Sequence, residues 1–75
     1  MFRYRNVDGD SGVVGYEIGS DFIRVKFPGG TIYSYTSASA GAENIERMKQ
    51  LACSGDGLNA FINMHVRKRF ARKER

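Results

Sequence analysis

The sequence predicts an α+β domain in which a three-stranded antiparallel β-meander is followed by two helices packed on one face of the sheet. Three observations predict this fold. Alternating or β-branched segments fill the first half of the chain, a Pro-Gly-Gly turn joins two of them, and apolar residues recur at helical spacing in the second half. At 75 residues the chain has room for one small core, so we expect a single domain over residues 1–75, with self-association as a source of additional stability.

The strands follow from the side-chain pattern between residues 2 and 36. Residues 2–5 alternate apolar and cationic side chains, which is typical of a short extra strand or of an arm along a sheet edge. Residues 13–18 and 31–36 are rich in β-branched and aromatic side chains, and residues 22–27 alternate most clearly. The Pro-Gly-Gly segment 28–30 provides the fixed and positive φ angles of a tight hairpin turn.

Helical spacing begins after the small-residue loop 37–41, where Ser39 or a neighbour is expected to cap the first helix. Gly55 is suited to end this helix and Asp56 to cap the second. The second helix is predicted to continue into the basic end of the chain, residues 67–75. The apolar stripe of the first helix is Ala42, Ile45, Met48 and Ala52, and that of the second is Leu58, Phe61, Ile62, Val66 and Phe70, with His65 on the same side.

The positive charge of the chain is concentrated at this basic end. The whole chain carries 12 Lys and Arg against 8 Asp and Glu, a net charge of +4. Residues 1–66 hold six cations and seven anions, whereas residues 67–75 hold six cations and one anion. Such a density of cations favours phosphate binding about as strongly as it favours simple solvation of a helix end.

The sequence contains no recognisable catalytic or metal site, so we expect a non-enzymatic binding protein without a cofactor. One Cys and one His are too few for a disulfide or a zinc cage within the chain. The segment 8–10, Asp-Gly-Asp, is similar to the start of a calcium loop, but Val13 and Gly19 replace its turn glycine and closing glutamate. Cys53 and His65 are interpreted as a small buried residue and an edge-of-core residue rather than as a nucleophile and its base.

The presence of a single cysteine and the lack of long apolar segments indicate where the protein is located. A single thiol fits a reducing compartment, and no window is apolar enough for a signal sequence or a membrane span. We therefore expect a cytoplasmic protein that does not contact a membrane.

Several short motifs together resemble the KTSC domain, a module named for the C-terminus of some lysyl-tRNA synthetases and also found as a separate bacterial or phage protein. The resemblance covers roughly residues 7–70. Its most specific parts are Gly15-Tyr16, the apolar strand that leads to Gly30, the Tyr-Ser-Tyr segment 33–35 as the YxY motif, and Gly57-Leu58-Asn59 at the start of the last helix. The chain departs from the family at residues 37–39, where a Val-Pro pair is usual, and in the length of the first helix. The resemblance implies RNA binding only by analogy with the synthetase, because the family has no established activity.

Candidate ligand-binding residues come from the sheet, the second helix and the basic end. Tyr33 and Tyr35 share a strand face and can stack bases, although a core position is favoured for them. Arg24 and Lys26 project from the sheet face opposite Ile23. The complete set is Arg24, Lys26, Tyr33, Tyr35, Asn59, Asn63, Arg67, Lys68, Arg69, Arg72 and Lys73.

Three hypotheses follow from these residues. The first is a small nucleic-acid-binding module, RNA being the expected partner, that contacts phosphate through a basic C-terminal helix. The alternative is a homo-oligomer that sequesters a small anionic ligand of nucleotide type in intersubunit pockets, to which Tyr16 is also expected to contribute. A protein-interaction accessory without a small ligand is the third.

Overall fold

The computed structural model describes residues 2–4 and 12–74, and it confirms an α+β fold with an antiparallel sheet. The sheet has five strands, which lie side by side in their chain order. They are β1 (Phe2–Arg3), β2 (Gly15–Ile18), β3 (Phe22–Lys26), β4 (Ile32–Thr36) and β5 (Arg72–Glu74). The helices are α1 (Ser37–Ala40), α2 (Ala42–Ser54) and α3 (Leu58–Phe61), and α3 continues as a π-helical segment, Ile62–Val66.

The alternation of β3 divides the sheet into two faces. Ile23 and Val25 are fully buried and lie opposite Tyr35 and Tyr33 of β4. Arg24 belongs to the other face, where the paired residues of β2, β3 and β4 are half-buried or exposed except for Gly15. Directly opposed residues of antiparallel strands share a face, so this register defines a covered face, which includes Ile23, and an open face, which includes Arg24.

The core lies between the covered face and the helices. Ile45 and Met48 of α2, Leu58 of α3 and Val66 of the π-helical segment are fully buried. Each such side chain stabilises the fold by about 1.5–3 kcal/mol when it is removed from water. The predicted helical stripes are therefore confirmed in their main positions, except that Ala42, at the first position of α2, is exposed.

The turn between β3 and β4 is the predicted hairpin. Gly29 and Gly30 have φ angles of 92° and 91°, a conformation that side chains with a Cβ rarely adopt. The Phe27 N–H donates to the Thr31 carbonyl at 2.8 Å, and the Gly30 N–H donates to the Phe27 carbonyl at 3.1 Å. The hydrogen bonds of the segment thus close a turn.

The ends of α1 and α2 match the expectation in part. Ser39 does take part in a cap, but it does so in α1, where Thr36 and Ser39 form a reciprocal capping box. The N-cap of α2 is Gly41, which has no side chain to donate or accept. Gly55 ends α2 in the left-handed conformation, as predicted.

The start of α3 depends on the first residues of the chain rather than on Asp56. The N-cap of α3 is Gly57, and the hydroxyl of Tyr4 accepts a hydrogen bond from the Leu58 N–H at 3.2 Å. Tyr4 is buried and follows β1, which pairs with β2. The predicted edge strand near residue 2 is therefore confirmed, and its neighbour Tyr4 replaces the expected aspartate cap.

The prediction that the helix continues through the basic end is wrong for residues 67–74. After the π-helical segment the chain returns to the sheet, where the Ala71 N–H donates to the Ser34 carbonyl at 2.7 Å and β5 pairs with β4. A three-stranded meander leaves the backbone groups along one side of β4 without partners, and β5 supplies them. Phe70 reaches the covered face as expected, but it does so from an extended segment in which its ring packs 4.8 Å from that of Tyr33.

Candidate nucleic-acid interface

Arg24 lies at the centre of an ion-pair network on the open face. Its guanidinium donates to Glu17 at 2.6 Å and to Glu74 at 2.7 and 3.1 Å. The Ser34 hydroxyl donates to the same Glu74 carboxylate at 2.7 Å. Arg24, a candidate phosphate-binding residue, thus already has two carboxylate partners within the chain, Glu17 and Glu74.

The same contacts change the acidity of both partners. The hydrogen bond from Arg24, and then that from Ser34, hold the pKa of Glu74 below its ordinary value. The hydrogen bonds that Arg24 makes with Glu74 and Glu17 raise the pKa of Arg24. Both shifts favour the charged pair, which ties β5 to β3 across the intervening strand.

Residues 67–73, which we call the basic segment, carry cations of a different kind. All five of their Lys and Arg side chains are exposed, and none forms an ion pair with a carboxylate of residues 2–4 or 12–74. Arg72 acts on Glu74 only through its electrostatic field. The five are Arg67, Lys68, Arg69, Arg72 and Lys73.

The backbone holds the basic segment in a defined path. The Arg69 N–H donates to the Val66 carbonyl at 2.9 Å, directly after the π-helical segment. The Ala71 N–H is bonded to β4, and Lys73 lies opposite Tyr33 in the sheet register. The cations are therefore carried by a turn and an edge strand, not by a helix.

Tyr33 and Tyr35 occupy different environments although both belong to the covered face. Tyr35 is 1% exposed, and burial, followed by the nearby Tyr33, raises its pKa to about 12. The predicted core position is thus confirmed for Tyr35, whose ring has no face open to a base. Tyr33 is half-buried and contacts the basic segment, with Phe70 at 4.8 Å and the Lys73 ammonium 6.0 Å from its ring centroid.

Phe70 also belongs to the surface formed by Tyr33 and the basic segment. The sequence pattern places it in a helix stripe and not among the candidate ligand-binding residues. It is 38% exposed and lies between Arg69 and Arg72 in the chain. A phenylalanine inside a dense run of cations was the available signal, because such a run has no need of an aromatic side chain for solvation.

The remaining predicted residues lie elsewhere. Lys26 is exposed on the open face, in β3, two strands away from β5. The Asn59 side chain lies over Gly12, where a Cβ would come 3.5 Å from it. Asn63 is exposed on the π-helical segment.

The two residues considered for catalysis, Cys53 and His65, are both exposed. Cys53 is exposed on α2, so its predicted burial is wrong, and the exposed His65 packs on Phe61 with ring centroids 4.6 Å apart. Within residues 2–4 and 12–74 no group of three or more His, Cys, Asp or Glu side chains is placed to hold a metal ion. The Asp-Gly-Asp turn at 8–10 and Arg75 lie outside the described residues.

A shallow surface depression of about 380 Å³ lies along the exposed side of α2. Its accessible lining is mainly apolar, and because it carries two glutamates and one arginine it has no excess of positive charge to attract a phosphate. The full lining is Ala42, Glu43, Glu46, Arg47 and Gln50.

Comparison of the chain with known protein families, curated proteins and solved structures finds no match. In the described part of the chain no helix has both the length and the apolar character needed to cross a bilayer.

Proposed function

We propose that this chain is a KTSC-like, non-enzymatic module that binds RNA through the basic segment. The observation that carries the proposal is the set of five exposed cations that make no ion pair within the described residues. Cations that are already paired, such as Arg24, have little to gain from a phosphate, whereas unpaired cations release the counterions of the nucleic acid when they bind.

The distribution of charge supports an extended polyanion as the ligand. The rest of the chain is close to neutral, so the field that attracts a phosphate is local to the basic segment. The five cations belong to two structural units, since Arg67, Lys68 and Arg69 follow the helix while Arg72 and Lys73 are in β5. A chain of phosphates can contact both units at once, which a single small anion cannot do.

The salt dependence of binding tests this proposal. For single-stranded nucleic acid, log K falls with log salt concentration by about 0.7 per phosphate contacted, so five contacts give a slope of up to about −3.5. We expect a fluorescein-labelled single-stranded RNA to bind in low salt with a slope in this direction, measured by fluorescence anisotropy. Removal of two cations by Lys68→Gln with Arg69→Gln should reduce the steepness by about 1.4.

The chain offers a matched control for this charge change. Arg3 lies in β1, at the opposite side of the sheet, and Arg47 lies on α2, where it donates to Gln50. Arg3→Gln with Arg47→Gln removes the same net charge, and we expect it to leave the slope nearly unchanged. Equal losses in the two double variants, or the absence of binding by the unmodified chain in low salt, would refute RNA binding by the basic segment.

A second candidate function is a homo-oligomer that holds a small nucleotide-type anion between subunits. The observation that favours it is the exposed apolar surface near β1, where Phe2 is 68% and Val14 is 46% exposed. The Tyr4 N–H donates to the Val14 carbonyl at 3.0 Å. Val14 therefore lies beside the chain segment that follows Phe2, at the β1 edge of the sheet. Light scattering coupled to gel filtration decides this point, because a monomeric mass excludes intersubunit pockets.

A further inference from the structure

We infer that the exposed ring of Phe70 is a stacking surface for one base, and that the chain therefore prefers single-stranded nucleic acid to a duplex. This inference rests on the proposed binding of nucleic acid by the basic segment. Beyond that binding, we infer that the ligand is single-stranded and that Phe70 is the residue that selects it.

The position of Phe70 is held by two backbone hydrogen bonds of its neighbours and by one ring contact. The backbone is hydrogen-bonded immediately before it, at Arg69, and immediately after it, at Ala71. Its ring packs 4.8 Å from that of Tyr33, with a 53° angle between the ring planes. A stacking surface that is already held in place loses little conformational entropy when a base binds.

The ring is also supported from behind by further aromatic residues. Tyr33 contacts Phe27 at 5.6 Å in an edge-on arrangement and Tyr35 at 6.4 Å. Phe27 and Tyr35 belong to the covered face, where Tyr35 is part of the core. Phe70 is thus the outermost member of an aromatic cluster that extends from the core to the solvent.

Cations stand near Phe70 in the chain and near its ring partner Tyr33 in space. Arg69 and Arg72 are close to Phe70 in the chain, and the Lys73 ammonium lies 6.0 Å from the centroid of Tyr33. Aromatic side chains next to backbone-tracking cations are the combination by which proteins bind single strands without sequence preference. In a duplex the bases are stacked on each other, so only the phosphates are available to the basic segment.

Charge alone predicts the opposite preference. A duplex carries more negative charge per length than a single strand and releases more counterions per phosphate contacted. A binding surface made only of the five cations should therefore bind a duplex at least as tightly as a single strand. Preference for the single strand is a result that the cations cannot produce without the aromatic ring.

The experiment compares one RNA of roughly ten nucleotides, within the site size of single-strand binders, as a single strand and annealed to its complement. Phe70→Leu keeps an apolar side chain against Tyr33 but removes the aromatic face, and Phe70→Tyr keeps that face. Phe2→Leu is the matched control, because Phe2 is also exposed and packs on a tyrosine, 5.8 Å from Tyr16, at the other edge of the sheet. Circular dichroism of each variant confirms that the fold is retained.

We expect the unmodified chain to prefer the single strand, and Phe70→Leu to weaken single-strand binding about tenfold while duplex binding stays the same. Phe70→Tyr and Phe2→Leu should both bind like the unmodified chain. If the duplex binds as tightly as the single strand and Phe70→Leu changes neither affinity, the stacking inference is overturned while RNA binding stands. If neither RNA binds, the proposed function fails as well.

Discussion

The two edges of the sheet have the same aromatic arrangement but differ in charge. At the β1 edge the exposed Phe2 packs on Tyr16, and at the β5 edge the exposed Phe70 packs on Tyr33. The strand β1 contains one cation, Arg3, whereas the basic segment that ends in β5 contains five. An exposed phenylalanine packed on a tyrosine is thus present at both edges, and within the described residues the number of cations without a carboxylate partner distinguishes the edge that we propose as the interface.

Two cations of the sheet, Arg24 and Arg72, also differ in whether a carboxylate pairs with them. Arg24 is neutralised by Glu17 and Glu74, and its side chain is 31% exposed. Arg72 lies directly beyond Ser34 in the same cross-strand row, yet it is exposed and forms no ion pair with a carboxylate of the described residues. Charge that can be counted in the sequence is therefore available for binding only where the fold leaves it without a carboxylate.

The largest effect on the β5 edge is expected from Glu74→Gln. This change removes the anionic partner of Arg24 and weakens the attachment of β5 to the rest of the sheet. We expect the Ala71 amide, which is bonded to Ser34, to exchange its hydrogen up to about fivefold faster, the range given by exposed ion pairs. Hydrogen exchange followed by NMR measures this rate, and RNA binding should weaken because the cations lose their fixed positions.

Glu17→Gln is the matched control for that change. It removes the carboxylate charge of Glu17 beside Arg24 but leaves both bonds from Arg24 to Glu74, so β5 should stay attached. Both variants raise the net charge by the same amount, and simple electrostatic attraction predicts tighter RNA binding in both. Tighter binding by Glu74→Gln would show that Glu74 does not position the basic segment.

Acid should loosen the β5 edge and leave the β1 edge in place. The pKa of Glu74 is lowered in the folded state, so its stabilising effect is present above its ordinary value of 4.5 and is lost as the pH falls through the lowered value. We expect the Ala71 amide to lose protection in that acidic range, after correction for the intrinsic exchange rate. The loss should be absent in Glu74→Gln, and a loss of the same size in that variant would assign it to another group.

The smallest effect on the interface is expected at Tyr35, which lies in the core behind it. Its pKa is raised from 10.0 to about 12, so the stability that its protonated form contributes is present below pH 10 and is lost as the pH rises toward 12. The chain has four tyrosines and no tryptophan, so phenolate absorbance follows this ionisation directly. Tyr35→Phe should remove a titration step near pH 12 without changing RNA affinity, and a step near pH 12 that the substitution leaves unaffected would contradict the burial of Tyr35.

The strands β2, β3 and β4 could be predicted because their signals are local. Alternation over residues 22–27 and the turn at 28–30 determine which side chains share a face and how the hairpin closes. The same register places Glu17 opposite Arg24, so half of the ion-pair network was in principle accessible from the sequence.

The strand β5 could not be predicted because its cause is not local. Residues 71–74, Ala-Arg-Lys-Glu, all favour a helix, and Phe70 stands four residues after Val66, as in a helical stripe. The strand forms because residues far away in the chain provide partners, namely the edge of β4 and the Arg24 guanidinium, 50 residues before Glu74. For the same reason the ion pair of Arg24 with Glu74 could not be predicted from the sequence.

The most direct test of the central claim is an NMR titration that maps which edge of the sheet contacts RNA. A single-stranded RNA of roughly ten nucleotides is added to the isotope-labelled chain, and the backbone amide shifts are followed residue by residue. We predict that the largest changes fall on residues 67–73 and on Tyr33, with little change at residues 2–4 and 15–17. Changes confined to the β1 edge, to the open face around Arg24 or to the depression along α2 would contradict the account.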